Sequence, residues 1–384
     1  MSLFLLVSQS FVSRFKTKPL IVCAPGRINF IGEHVDYNDG FVLPAAIDRE
    51  MVFAIGKSGH DRCNVYSHDL EEGVSFSIHD LNAGETWVNY LMGVLDGFER
   101  RGLPVHGVDC VFGGNIPLGA GLSSSAALCC GFAFAVNELF KCKLPKLELA
   151  KIARYAEHEF AGLQCGIMDQ YASLFGVKGA ALLLDCRALT HEIVPVKLTE
   201  HSILLVDTKV KHSLAATAYN DRREACEEGL RILHEKNPSV NSLRDVSATV
   251  LYENQDALGD EVYIKCLFVV EEMKRTQLGA GMLRKNDMKA FGELMYQTHW
   301  GLSQRYEVSC AELDFLVSLA EEDKKWIVGS RMMGGGFGGC TLNIIDNSYV
   351  KVFQEKVLHQ YLGTFKKEPD FYLVNLADGV AMGT

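Results

Sequence analysis

Apolar positions over the first two hundred residues come in blocks of four to six, cut by glycine, proline and charged turns. Such blocks read as short strands. Leu20–Cys23 is one, running into Pro25-Gly26. Val52–Ile55 and Cys63–Tyr66 are two more, and Asp109–Phe112 stops at Gly113-Gly114. Between them Thr86–Arg100 carries apolar residues at helical spacing, Ser124–Phe140 is small and apolar throughout, and Leu147–Ala161 repeats every three to four positions. These predict helices, the second of them buried. Ala180–Asp185 predicts a further strand.

After Pro195 the period lengthens. A strand at Ile203–Asp207 precedes helices over Ala215–Glu235, Tyr263–Thr276, Met288–Gln297 and Leu313–Glu321. Strands Gly339–Ile345 and Phe371–Asn375 flank a helix near Val350–Tyr361. The change of pattern places a domain boundary near residue 200, giving units 1–200 and 201–384 with a cleft between them. A chain of 384 residues is long enough for two domains.

Composition narrows the class. With 48% hydrophobic and 22% charged residues the chain has the material for a large core, which excludes intrinsic disorder. Its 38 basic residues against 48 acidic give a net charge of −10, the wrong sign for a general nucleic-acid or anionic-membrane binder. The longest apolar run, Ala126–Val136, falls well short of the ~18 residues of a membrane span. Phe4–Val7 is too short for a signal-peptide core and has no basic residue ahead of it. Twelve cysteines without a Cys-x-x-Cys pair read as reduced core thiols, so the expected location is the cytoplasm.

Three glycine loops invite a phosphate-binding reading. Gly56-Lys57-Ser58 has the end of a P-loop, but the first glycine of that motif would fall at Met51. Gly334–Gly339 contains Gly-x-Gly-x-x-Gly, yet a strand follows it where a dinucleotide fingerprint requires a helix. The third, Gly113 to Ala127, passes from strand to loop to a small-residue helix, with Gly119, Gly121 and the triple serine Ser123-Ser124-Ser125 at the junction. Free amides and the dipole at such a helix start hold anionic phosphate. The plain alternative is a serine-capped helix after a glycine turn.

Ala24-Pro-Gly-Arg-Ile-Asn-Phe-Ile-Gly-Glu-His-Val-Asp-Tyr-Asn-Asp-Gly40 gathers an arginine, acidic groups and a histidine on one loop after a strand. Carboxylates beside an imidazole suit a polyhydroxylated ligand, whose hydroxyls each donate and accept. The segment resembles the signature of the galactokinase family, within the GHMP small-molecule kinases. Four further segments match in order: Gly119–Ser125, Glu157–Tyr171, Tyr219–Cys226 and Gly329–Cys340. The first segment is particular to galactokinases; the glycine loops mark the wider superfamily. The similarity spans about residues 15 to 380.

The resemblance implies an α+β, two-lobed GHMP kinase fold, with a mixed-sheet N-terminal domain and a ferredoxin-like C-terminal domain. It implies transfer of the γ-phosphate of ATP, with Mg²⁺, to the C1 hydroxyl of D-galactose. Asp169 would face that hydroxyl, and Arg27 would stand between it and the transferring phosphate. Glu33, His34, Val35, Asp36, Gly166 and Tyr219 would contact the sugar. Gly119, Ala120, Gly121, Leu122, Ser123, Ser124 and Ser125 would wrap the ATP phosphates, and Ser125 with Glu157 would hold the metal. Ser67, Trp87 and Tyr90 match positions near adenine and ribose, with core packing as the competing role of the two aromatics. Gly334–Gly339 would border the site. Two versions of the chemistry stay open at Asp169: full proton abstraction, or orientation with a late proton transfer.

The chain departs from the family pattern at Lys265–Glu271, where many members have a basic, histidine-containing helix, and at Gly379-Val380. A GHMP kinase for another sugar and a non-catalytic galactose sensor are the rival readings. The intact Ser123–Ala127 run argues against the sensor. His158 and His191 lack metal-ligand spacing, and a monomer is the default expectation.

Overall fold

The computed structural model of the protein describes residues 2–84, 86–210 and 215–383. Its chain begins with a helix, α1 (Leu3–Phe15), that the block pattern does not predict. Ser2 caps it through its hydroxyl, and Val7 and Phe11, one turn apart, are buried against the sheet with Ile21, Val52, Ala54 and Val111. There follow β1 (Leu20–Asn29), β2 (Phe41–Val42), β3 (Pro44–Lys57), β4 (Arg62–Ser67), β5 (Glu72–Ser77), α2 (Val88–Glu99) and β6 (Val108–Gly114). Helices α3 (Ser124–Phe140), α4 (Lys146–Ala161) and α5 (Met168–Phe175) precede β7 (Ala180–Asp185) and β8 (Thr190–Pro195).

Six strands form one sheet in the order β13-β1-β3-β6-β4-β5, antiparallel except for the parallel pair β4–β6. Here β13 (Ala381–Met382) is the chain's end, returned to pair with β1, and Leu376 bridges to Ile47. A three-stranded antiparallel sheet, β2-β7-β8, lies beside it. Helix α3 packs on β1 and β3. Lys57 of the broken P-loop motif merely ends β3, exposed.

The second half runs β9 (His201–Asp207), α6 (Ala215–Lys236), α7 (Ala248–Glu253), α8 (Gln255–Arg284), α9 (Met288–Gly301), α10 (Ala311–Glu322), β10 (Ile327–Met332), β11 (Cys340–Asp346), α11 (Val350–Phe365) and β12 (Asp370–Val374). Its sheet order β10-β11-β9-β12, antiparallel throughout, is the ferredoxin-like βαββαβ arrangement with α6 to α10 filling the first crossover. Alternation along β9 sends Leu204 and Val206 to the core under α10 and α11, and Ile203 and Leu205 to the larger core shared with the first lobe. Among the described residues no helix is long and apolar enough to cross a membrane.

Candidate active site

Arg27 lies near the end of β1, after a register shift between Pro25 and Arg27. Beyond it the chain turns sharply. Gly32 has φ +97°, a conformation open to glycine, and donates its N–H to Glu272 on α8 at 2.8 Å. Glu272 is fully buried, with Thr298 and Arg275 as further donors. Glu33, next in the chain, accepts from Arg331 Nη2 at 2.6 Å and from the Gly334 N–H at 2.8 Å, both on Oε1. Arg331 is wholly buried on β10 and also donates to the Asn29 carbonyl at 2.7 Å. Burial alone would raise the Glu33 carboxyl, but Arg331 and then Arg27 bring it below the ordinary carboxylate range.

His34 follows, at φ +59° and 4% exposed. Its Nδ1 lies 2.9 Å from the Tyr37 hydroxyl and its Nε2 3.2 Å from the Gly335 carbonyl. Burial lowers its pKa to about 4, so the ring is neutral. Tyr219, on the first half of α6, tilts against it with ring centroids 5.1 Å apart. Asp36 has the opposite shift: burial, then the charges of Asp169 and Glu33, push its carboxyl up to about 6. Only glycine fits opposite. A β-carbon on Gly166 would stand 1.9 Å from Asp36 Oδ2.

Arg27 and Asp169 form a two-pronged pair, Nε to Oδ1 at 2.7 Å and Nη2 to Oδ2 at 2.8 Å. Arg27 also donates from Nη1 to the Gly121 carbonyl at 2.5 Å. Burial acts to lower the guanidinium's pKa, yet Asp169, Glu33 and Asp36 hold it above the ordinary value. Ser123 is the N-cap of α3, but its hydroxyl makes no capping bond and donates instead to Asp169 Oδ2. The serine-cap alternative therefore fails, and the pair ties β1, the glycine loop and α5 together.

Next to the loop, Glu157 is buried on α4. Its Oε2 accepts from Gln170 Nε2 and, at 3.2 Å, from the Cys165 thiol, whereas Oε1 has no partner. Burial raises this carboxyl, with the Ser125 hydroxyl the leading opposing influence. An orphaned carboxylate oxygen beside a serine hydroxyl is a donor set for a hard divalent cation. No group of three or more His, Cys, Asp or Glu gathers as a cation site among the described residues.

A cavity of about 260 Å³ opens between the lobes beside these groups. Arg27, Glu33, His34, Asp36, Gly166, Asp169 and Tyr219 all line it, together with Leu163, Cys165, Met168 and Gly334–Gly336. Val35 does not: its side chain is fully buried in the core. The segment from Gly119 to Ser125 stands behind Arg27, with Ala120 and Leu122 buried. It packs backbone to backbone on the second glycine loop, a β-carbon at Gly334 falling 3.4 Å from Gly121 Cα. Ser67, Trp87 and Tyr90 stand apart from the cavity on β4 and the start of α2. Trp87 donates to Glu72 at 2.9 Å and meets Phe112 edge-on at 5.3 Å. Sequence reasoning missed Arg331, Glu272 and Tyr306. Arg331 lies inside the Gly329–Cys340 glycine motif, and its charge just ahead of Met332-Met333 was the available signal.

Comparison with known proteins gives three family matches: GHMP kinases N terminal domain over residues 89–177, galactokinase galactose-binding signature over 9–57, and GHMP kinases C terminal over 280–362. A galactokinase of Thermotoga neapolitana is 42% identical over 360 residues, covering 94% of this chain and 99% of that one. One from Clostridium acetobutylicum is 39% identical over 362 residues, covering 93% and 92%. The crystal structure of Lactococcus lactis galactokinase complexed with galactose superposes with a TM-score of 0.93 at 30% identity, over 97% of this chain and 98% of that one. Mevalonate kinase of Methanococcus jannaschii shares the fold, with a TM-score of 0.65 at 18% identity.

Proposed function

Because the chain belongs to the galactokinase family of GHMP kinases, we propose that the inter-lobe cavity binds D-galactose and that Asp169 and Arg27 carry the transfer of the ATP γ-phosphoryl group to its C1 hydroxyl. The enzyme is an ATP-dependent sugar kinase, and the products are galactose 1-phosphate and ADP. The observation that carries the assignment of roles is the Arg27–Asp169 pair, set where the sugar loop, the serine loop and α5 meet.

Phosphoryl transfer passes through a loose transition state, so the protein mainly positions groups and neutralises charge. Arg27 offers a fixed guanidinium to the equatorial oxygens. Asp169 accepts from the C1 hydroxyl and orients its lone pair for in-line attack. The hydroxyl proton leaves late, to Asp169. Glu33, His34, Asp36 and Tyr219 hold the remaining hydroxyls, and the Gly119–Ser125 loop with the amides of α3 holds the phosphates. Ser125 and Glu157 fit Mg²⁺, which when bound neutralises phosphate charge. Ser67, Trp87 and Tyr90 are assigned to the base and ribose through the family resemblance. The lobes divide near residue 200, with β13 returned from the end of the second half to the first-lobe sheet, and the enzyme acts as a monomer in the cytoplasm, where ATP is supplied.

A coupled ADP-release assay with Mg-ATP tests this, comparing galactose with glucose, N-acetylgalactosamine, arabinose and mevalonate. Turnover on galactose is expected; turnover confined to another of these substrates would move the assignment to that one.

Asp36 supplies a pH dependence. With its carboxyl pushed up to about 6, the free enzyme at pH 5 has about nine-tenths of it protonated. His34, at about 4, stays neutral throughout that range. kcat/KM for galactose at saturating ATP should fall roughly tenfold from pH 7 to pH 5, with an inflection near 6. Asp36→Asn should flatten the profile. An inflection that persists in the variant assigns the titration to another group.

Glu157→Gln keeps the shape but removes the charge beside the orphaned oxygen. Its expected signature is a requirement for about tenfold more free Mg²⁺ at half-maximal rate, read also as weaker Mn²⁺ binding by electron paramagnetic resonance. Unchanged Mn²⁺ affinity would remove Glu157 from the metal set.

A further inference from the structure

Two tyrosines that do not line the cavity stand against His34. Tyr37 OH is 2.9 Å from His34 Nδ1, and Tyr306 OH is 2.8 Å from Tyr37 OH. Tyr306 comes from the second lobe, at the end of a π-helical turn, Leu302–Tyr306. Such turns are rare and recur at functional sites. Behind Tyr306, on α6, the Cys226 thiol lies 3.3 Å from its oxygen. All four groups are buried or nearly so, and in such surroundings each polar hydrogen needs a defined acceptor.

The directions of these bonds follow from one end. His34 Nε2 faces the Gly335 carbonyl, which can only accept, so Nε2 carries a hydrogen. A neutral imidazole then has a lone pair on Nδ1. Tyr37 must donate to it, which leaves the Tyr37 oxygen to accept from Tyr306. The other acceptors within reach of the Tyr306 hydroxyl, the Cys226 sulfur at 3.3 Å and the Arg222 carbonyl at 3.4 Å, are weaker or farther than the Tyr37 oxygen at 2.8 Å. With its hydrogen committed, Tyr306 accepts from the Cys226 thiol.

We propose that Cys226, Tyr306 and Tyr37 form an ordered donor chain that, together with the Gly335 carbonyl, holds His34 as its Nε2–H tautomer, so that the imidazole offers the sugar a donor and never an acceptor. Tyr37 and Tyr306 are thus positioning residues that set part of the specificity. The bond from Nε2 to Gly335 is long at 3.2 Å, and Gly335 itself lines the cavity. A sugar oxygen with a free lone pair can take that hydrogen over, whereas a deoxy position cannot. The proposal deepens the galactokinase reading above and rests on it for the identity of the ligand.

The test uses the full-length enzyme labelled with ¹⁵N-histidine. Long-range ¹H–¹⁵N correlation at pH 7.5 reports each tautomer, and the His34 signals are those missing from His34→Gln. The expected result is a pyridine-like Nδ1 and a protonated Nε2 at His34 in the wild type. In Tyr37→Phe only the long bond to Gly335 still holds the tautomer, so a mixture of tautomers should appear once galactose is added and competes for that hydrogen. KM for galactose should rise about tenfold, with KM for ATP and kcat within about twofold and the melting temperature nearly unchanged. Tyr306→Phe should give a weaker version of the same pattern, because Tyr37 keeps its own hydrogen but loses the group that directs it. A wild-type His34 protonated on Nδ1 overturns the proposal. So does a Tyr37→Phe enzyme whose tautomer and galactose KM match the wild type. The expected tautomers without turnover on galactose would uphold the chain and sink the substrate reading instead.

Discussion

Asp169→Asn should lower kcat by about a thousandfold while changing galactose affinity only a few-fold. The substitution is isosteric, but the asparagine amide group brings its own hydrogens to a place where three donors already converge: Arg27 Nε, Arg27 Nη2 and the Ser123 hydroxyl. Two donors must then face each other, and the guanidinium is pushed off its alignment. The variant thus loses the acceptor for the C1 hydroxyl and disturbs the cation meant for the transferring phosphate. Neither loss touches Glu33, Asp36 or Tyr219, so binding should survive. Steady-state kinetics with calorimetric titration of galactose separates the two quantities. A kcat within tenfold of the wild type would mean that Asp169 is only the structural partner of Arg27.

The largest effect on stability is expected at Arg331. Its guanidinium is fully buried and holds Glu33 at 2.6 Å and the Asn29 carbonyl at 2.7 Å. Arg331→Met removes the countercharge of a buried carboxylate, which costs about 3–5 kcal/mol. The dependence on pH should also reverse. In the wild type the depressed Glu33 carboxyl contributes stability above the unfolded carboxylate pKa, lost as the pH falls through its lower folded value. In Arg331→Met burial acts without Arg331 to oppose it, so the variant should gain stability relative to wild type on acidification. Adding Glu33→Gln should restore part of the melting temperature without restoring affinity for galactose. Thermal melts from pH 3 to pH 8 check both. A loss below about 1 kcal/mol would place water or another cation beside Glu33.

Why the sequence disclosed Glu33, His34 and Asp36 but hid Arg331 has a physical answer. The proposed sugar ligands cluster on one turn-rich loop, where charged groups next to Phe30 and Ile31 have no helix face to explain them. Asp169, Gly166 and Tyr219 became readable only through resemblance, because nothing local says which acidic residue in Glu157–Tyr171 faces the cavity. Arg331 and Glu272 are charges in elements that alternate or turn, where solvent exposure is the ordinary reading. Their partners lie some 298 and 240 residues away. Elements followed the same logic. Strong periodic segments such as α3, α4 and β9 were legible. The edge pairing of β13 with β1, and the length of β3, depend on neighbours remote in sequence. Helix α1 rests on a serine cap and on Val7 and Phe11 one turn apart, a short local signal that only packing on the sheet completes.

The loop proposed to read the sugar is written in the first tenth of the chain, but its shape is held by Glu272 on Gly32, Arg331 on Glu33 and Gly334 on Glu33, all from the last third. A chimera joining this N-terminal half to the C-terminal half of a distant relative would therefore inherit the sugar ligands without their mould. Selection for a new sugar need not touch the ligands at all, since substitutions under the loop, in the other lobe, can retune their spacing.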